Sequence, residues 1–277
     1  MHEAADDADW RQPRNRLTTI QFLHREMRRG KKVSPIFSVF GVFTYLFKQD
    51  WLHCGDKGVA AQFLGNLCRM LVAKMPGRVL EDRTKALSNH IDTYYVEFKI
   101  KDRLKKFNAD SYAGKGNEAD SLSGSAAAIR ALVPFGDLMA QQFLSDAIPM
   151  ESAAKIAAHH LKNCYQALAG TSGPFAHVAL NNSAKIFALQ YRALYLAAND
   201  GVSWRVMPKM HIFLELCSEG TEPQLFWCYR DEDFGGSMAH TSKMTGRWKV
   251  LSAYSRHGLE MFFMKHGVPR FVDHTPN

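Results

Sequence analysis

The sequence predicts a mainly helical protein with one or two short strands. Three patterns point there. Apolar residues recur at helical spacing through 59–74, 81–98, 126–144, 151–169, 177–199 and 247–265. Ser34 to Leu46 is the stretch dense in Val, Ile, Phe and Tyr in the manner of a strand. Apolar residues make up 46% of the 277, enough to fill a core at this length.

Residues 1–12 read as a disordered tail, acidic through Glu3, Asp6, Asp7 and Asp9. Residues 13–107 read as a basic helix, a strand and further helices. From Arg11 to Lys32 eight basic residues face one acid, Glu26. Thr18 or Thr19 is placed to cap a helix running through Arg29, with Ile20, Leu23 and Met27 on one face and Gly30 ending it. Arg25, Arg28, Arg29, Lys31 and Lys32 are then either phosphate contacts or a solvated face beside the acidic tail. The strand expected at 34–46 leads to Asp50-Trp51-Leu52-His53, then Gly55, Asp56 and Gly58. The helix at 81–98 is expected to continue to Phe107, which would put Lys99, Arg103 and Lys106 on one face. That stripe is a second candidate for nucleic-acid contact, or a plain solvent face. Residues 108–125, rich in Gly, Ser, Ala, Asn and Asp, read as a flexible loop. Residues 126–277 read as a helical region holding an acidic motif.

Composition narrows the function. A net charge of +8 is compatible with an anionic partner, of which nucleic acid, DNA above all, is the usual one, and equally with simple solubility. Five cysteines, an odd number with no C-x-x-C pair, point to a reducing, intracellular setting rather than a disulfide scaffold. The most apolar run, Val33 to Phe47, is too short to span a bilayer, so no membrane partner is expected. The His and Cys spacing argues against structural zinc, and neither a phosphate-binding Gly-Lys-Ser/Thr loop nor a nucleophile elbow occurs.

The densest chemistry lies in Trp204 to Met238. Pro208-Lys209-Met210-His211 opens an apolar run, and the aromatic block Phe226-Trp227-Cys228-Tyr229 runs into Asp231-Glu232-Asp233 and Gly235-Gly236. If Asp50 and Glu232 met, their hard oxygens would suit Mg²⁺ or Mn²⁺, with His53, His211, Asp231 and Asp233 in support. Taken singly, Asp50 reads rather as a helix cap or turn acid and Asp231 to Asp233 as a cap for a following helix. His211 reads rather as a core histidine bonded to Glu215. A hydrolase using His211 with Asp231 or Glu232 as acid and base is a further alternative.

Two fragments carry a family resemblance. Asp50-Trp51-Leu52-His53, with Gly58 and the helix from Gln62 to Leu67, resembles the D-x-M-H segment of CACTA-like cut-and-paste transposases. Pro208-Lys209-Met210-His211, Phe226-Trp227 and Glu232-Asp233-Phe234-Gly235 are similar to that family's closing segment. The chain also resembles transposase-derived reading frames abundant in dinoflagellate genomes. The resemblance implies a partial RNase H-like α/β core with a helical insertion, Asp50 and Glu232 as catalytic metal ligands, Mg²⁺ or Mn²⁺ as cofactor, DNA as partner and a nuclear location. The family's first Asp has no counterpart on an early strand here, and Leu52 replaces its Met. The chain is therefore expected to be the C-terminal part of such a core, degenerate or truncated, with the alternative of a non-enzymatic helical module that binds nucleic acid or protein.

Overall fold

The structure is a computed structural model that describes residues 17–40, 42–44, 49–114, 116, 118–169, 174–225, 227–229 and 236. The chain divides into two compact units, residues 1–227 and 228–277, and all the helices described below lie in the first. The described residues are mainly helical and include no strand.

Helix α1 spans Thr19–Arg28. Thr18 caps it as the sequence suggests: its side chain accepts from the Gln21 backbone N–H, and the Gln21 side chain reaches back to the Thr18 N–H, closing a capping box. Gly30 ends it at φ +69°, a conformation glycine adopts without steric cost. α1 buries none of its residues.

Among the described residues of 34–46 the expected strand is not formed. Ser34 accepts from the Ile36 N–H and starts a 3₁₀ turn over Pro35–Ser38, where proline already has the required φ. Ile36, Val39, Phe40 and Phe43 are exposed. β-branched and aromatic residues make a strand only where a neighbouring strand receives their backbone bonds, and none is described here.

Beyond Trp51 the chain enters a nine-residue π-helix, Leu52–Ala60, continuous with α2, Ala61–Lys74. Helix α3 follows at Leu80–Glu97. It stops there instead of running to Phe107: Phe98 leaves helical geometry and Lys99 sits at φ +53°. Lys99, Arg103 and Lys106 therefore do not share a helix face.

The described residues of 108–125 have no regular structure beyond a 3₁₀ turn at Ala109–Ser111, yet they form a packed strap. The Leu122 N–H donates to the Ala61 carbonyl at 2.7 Å, and Tyr112, Asp120 and Leu122 are buried. Arg69 grips both Asp120 oxygens, and Asn66 donates to the Asp120 carbonyl. A Cβ on Gly65 would stand 2.5 Å from the Ser121 backbone, so only glycine lets the strap lie this close to α2.

Helices α4 (Ala126–Phe143), α5 (Pro149–Leu168), α6 (His177–Ala198) and α7 (Pro208–Ser218) complete the first unit. Ser125 caps α4, which runs on through Pro134 with that proline exposed. α5 packs along α6, α6 against α7, and α4 joins α5 to α2. The π-helix touches α2, α4 and α7 and so sits at the centre of the packing. Around it lies an aromatic cluster. Phe63 meets Phe187, Tyr191 and Trp204 at centroid distances of 5.4, 6.4 and 5.7 Å. Trp51 meets Tyr165 at 5.6 Å and Phe213 at 5.3 Å. All these rings are buried, and each contributes about 1.5–3 kcal/mol through loss of apolar surface.

Candidate functional site

The π-helix organises the polar chemistry of the first unit. Such segments are rare in proteins and concentrate at functional positions. Asp50 stands just before it. One carboxylate oxygen accepts from the Leu52 N–H at 3.2 Å, the other from the His53 N–H at 2.8 Å, and Oδ2 lies 2.6 Å from His53 Nδ1. Asp50 and His53 are thus brought together as the D-x-x-H fragment suggests, in the geometry of a helix cap.

Six residues further on, Asp56 is wholly buried. The Tyr165 hydroxyl donates to Oδ1 at 2.6 Å, and Arg130 Nη2 reaches Oδ2 at 3.3 Å. The Arg130 guanidinium also lies over two rings, 5.7 Å from the Tyr165 centroid and 4.7 Å from that of Trp227. The buried Trp51 indole also favours the charged form of the carboxylate. Burial outweighs these partners and pushes the Asp56 carboxyl up to about 6. Burial, and then the Asp56 charge, push the Tyr165 phenol well above its ordinary range. Gly55 is required beside this group, because a Cβ there would stand 2.7 Å from Trp51 Nε1.

Lys57 is the outward counterpart of Asp56. Its Nζ donates to the Gly124 carbonyl at 2.6 Å, tying the π-helix to the end of the strap. Gly124 lines a groove of about 490 Å³ between that strap and residues 103–106. Arg103, Lys105 and Lys106 are exposed at its edge against one acid, Asp110. Arg103 is held in place: Nε donates to the Ile100 carbonyl at 2.7 Å, Nη2 to the Tyr95 carbonyl at 3.3 Å, and the guanidinium lies 5.3 Å over the Tyr95 ring.

The other expected site residues are placed as follows. Arg25, Arg28, Arg29, Lys31 and Lys32 are exposed on and after α1. Three of them converge on Glu26, at 3.2 Å for Arg25, 3.5 Å for Arg29 and 3.6 Å for Lys31. His211 is partly buried on α7, while Met210, Phe213, Leu214, Leu216 and Cys217 of that helix are buried. Asp231, Glu232 and Asp233 lie outside the described residues, as does the helix expected at 247–265. Among the described residues no helix is long and apolar enough to cross a membrane.

Sequence reasoning did not single out Asp56, Arg130, Tyr165 or Lys57. The available signal was an acid and a base set between two glycines, Gly55 and Gly58, inside an apolar stretch. No protein-family model, curated protein or solved structure matches this chain.

Proposed function

We propose that this chain is a transposase-derived helical protein that binds DNA through its phosphate backbone. The observation that carries the reading is the groove beside the strap, where Arg103, Lys105 and Lys106 converge in space. None of the three has an ion-pair partner among the described residues, so their charge is available to an incoming polyanion. Clustered cations with few acids are the electrostatic footprint of phosphate recognition. The net charge of +8 adds a long-range attraction for the same partner. The resemblance of Asp50-Trp51-Leu52-His53 and Pro208-Lys209-Met210-His211 to transposase segments supports the ancestry, with a nuclear location and a partial RNase H-like core as its corollaries.

The test is anisotropy titration of a labelled duplex. Affinity is expected to fall steeply with salt, and a Lys105→Glu, Lys106→Glu double variant to bind at least about tenfold more weakly, since reversing two cations abolishes the counterion release at two phosphates. Binding that does not weaken with salt would exclude the reading.

A second reading keeps metal-dependent strand cleavage, with Asp50 and Glu232 as ligands of Mg²⁺ or Mn²⁺. The pairing of Asp50 with His53 at the start of a buried helix favours it. Its test is a nicking assay with Mn²⁺ in which Glu232→Ala and Asp50→Asn abolish cleavage. Cleavage that survives both substitutions would rule those ligands out.

A further inference from the structure

A second basic groove, of about 610 Å³, lies on the other side of Lys57. It is lined by Lys57, Gln62, Arg205, Pro208 and Lys209, with Glu118 as its one acid. Its three cations come from the π-helix, the α6–α7 connection and the first turn of α7, and all three are exposed. No ion-pair partner for any of them occurs among the described residues.

The groove is held in place by hydrogen bonds of its own walls. Gln62 Nε2 donates to the Arg205 carbonyl at 2.7 Å, fixing that backbone against α2. The Trp204 N–H donates to the Asn66 side chain at 2.9 Å, so the preceding residue is anchored to the same helix. A Cβ at Gly58 would stand 2.7 Å from Lys209 Cδ, so the aliphatic stem of Lys209 packs directly against the π-helix at Gly58. Lys57 spans the boundary, because it lines this groove while its Nζ donates to Gly124, which lines the first.

We propose that Lys57, Arg205 and Lys209 form a second phosphate-binding site, continuous with Arg103, Lys105 and Lys106, so that a nucleic-acid backbone crosses the protein over the Lys57–Gly124 hydrogen bond. This inference rests on the DNA-binding reading and adds to it a path and a set of residues. Six cations against two acids, Asp110 and Glu118, then line one tract assembled from segments far apart in sequence.

The experiment compares the full chain with an Arg205→Ala, Lys209→Ala double variant and with a Lys85→Glu control. Lys85 is exposed on α3 and lines neither groove. Binding of a labelled duplex is measured over a range of salt, and thermal melts check that each variant folds. The double variant is expected to bind more weakly, with the slope of log affinity against log salt flatter by about 2, close to 0.9 for each phosphate that is no longer neutralised. The control is expected to keep the parent slope. If the parent binds and the double variant keeps its affinity and slope, the second site is overturned while the DNA-binding reading stands. If Lys85→Glu weakens binding as much as the double variant does, attraction is by overall charge and the site is overturned. If the parent does not bind even at low salt, both readings fall together.

Discussion

Replacing Asp56 by asparagine tests the balance of forces at the centre of the fold. The carboxyl is fully buried and is pushed from an ordinary 3.8 up to about 6. Desolvation is the largest cause, and Arg130, Tyr165 and Trp51 pull the other way. With each tenfold change in proton affinity equal to about 1.4 kcal/mol, this rise corresponds to about 3 kcal/mol. The sign follows from proton counting. Between 3.8 and about 6 the folded protein holds this proton more tightly than the unfolded chain does, so stability is greatest below 3.8 and is lost as pH rises to about 6. An amide at position 56 has no such dependence, and titrations elsewhere cancel between the two proteins. Urea unfolding of the parent and Asp56→Asn from about pH 4 to about pH 7.5 should therefore show the parent losing about 2.5 kcal/mol relative to the variant, the remainder of the change lying below about pH 4, with the difference flat above that window. A difference that stays constant would mean that the partners of Asp56 match desolvation, and one that grows in the parent's favour with rising pH that they outweigh it; either result refutes a carboxyl raised by burial.

Three further outcomes follow from the packing. Gly65→Ala should destabilise by about 1–3 kcal/mol, because its methyl would meet the Ser121 backbone rather than a movable side-chain end. It should also open the strap to protease within 108–125, and an unchanged melt with unchanged cleavage would contradict the close approach. Asp50→Ala should cost about 0.5–2 kcal/mol in chemical unfolding through loss of the cap, whereas Asp50→Asn should cost clearly less; equal losses would show that the carboxylate does something other than cap. Phe63→Ala should cost about 3–5 kcal/mol, since it empties the space between Phe187, Tyr191 and Trp204, and a loss below about 1 kcal/mol would mean that the cluster collapses to fill it.

The sequence is most legible where a local rule and the tertiary environment agree. Thr18 and Gly30 bound α1 by side-chain capping and left-handed φ, both properties of single residues. Helices α4 to α6 follow their apolar periodicity to within a few residues. The strand reading of 34–46 fails because β propensity needs a partner strand, and residues such as Phe40 face solvent instead. The continuation past Phe98 fails at Lys99, whose positive φ no periodicity reveals. The start of the π-helix is hidden by Gly55 and Gly58, which suggest a turn; in the fold they mark where Trp51 and Lys209 cross the backbone. Of the candidate site, the pairing of Asp50 with His53 is a local i,i+3 relation and could be read in sequence. Arg130 and Tyr165 lie 74 and 109 positions beyond Asp56 and meet it only once the chain has folded back, which no spacing rule encodes.

Four cysteines, Cys54, Cys68, Cys164 and Cys217, are buried in four different segments: the π-helix, α2, α5 and α7. Burial pushes the thiols of Cys54 and Cys68 up to about 12 and that of Cys164 higher still, so in the folded protein they are neutral and shielded from electrophiles. Alkylation at these positions therefore counts openings of the fold, one reporter per segment. The order in which the four sulfurs become labelled would give the sequence in which the helices part company, with no foreign probe introduced into the chain.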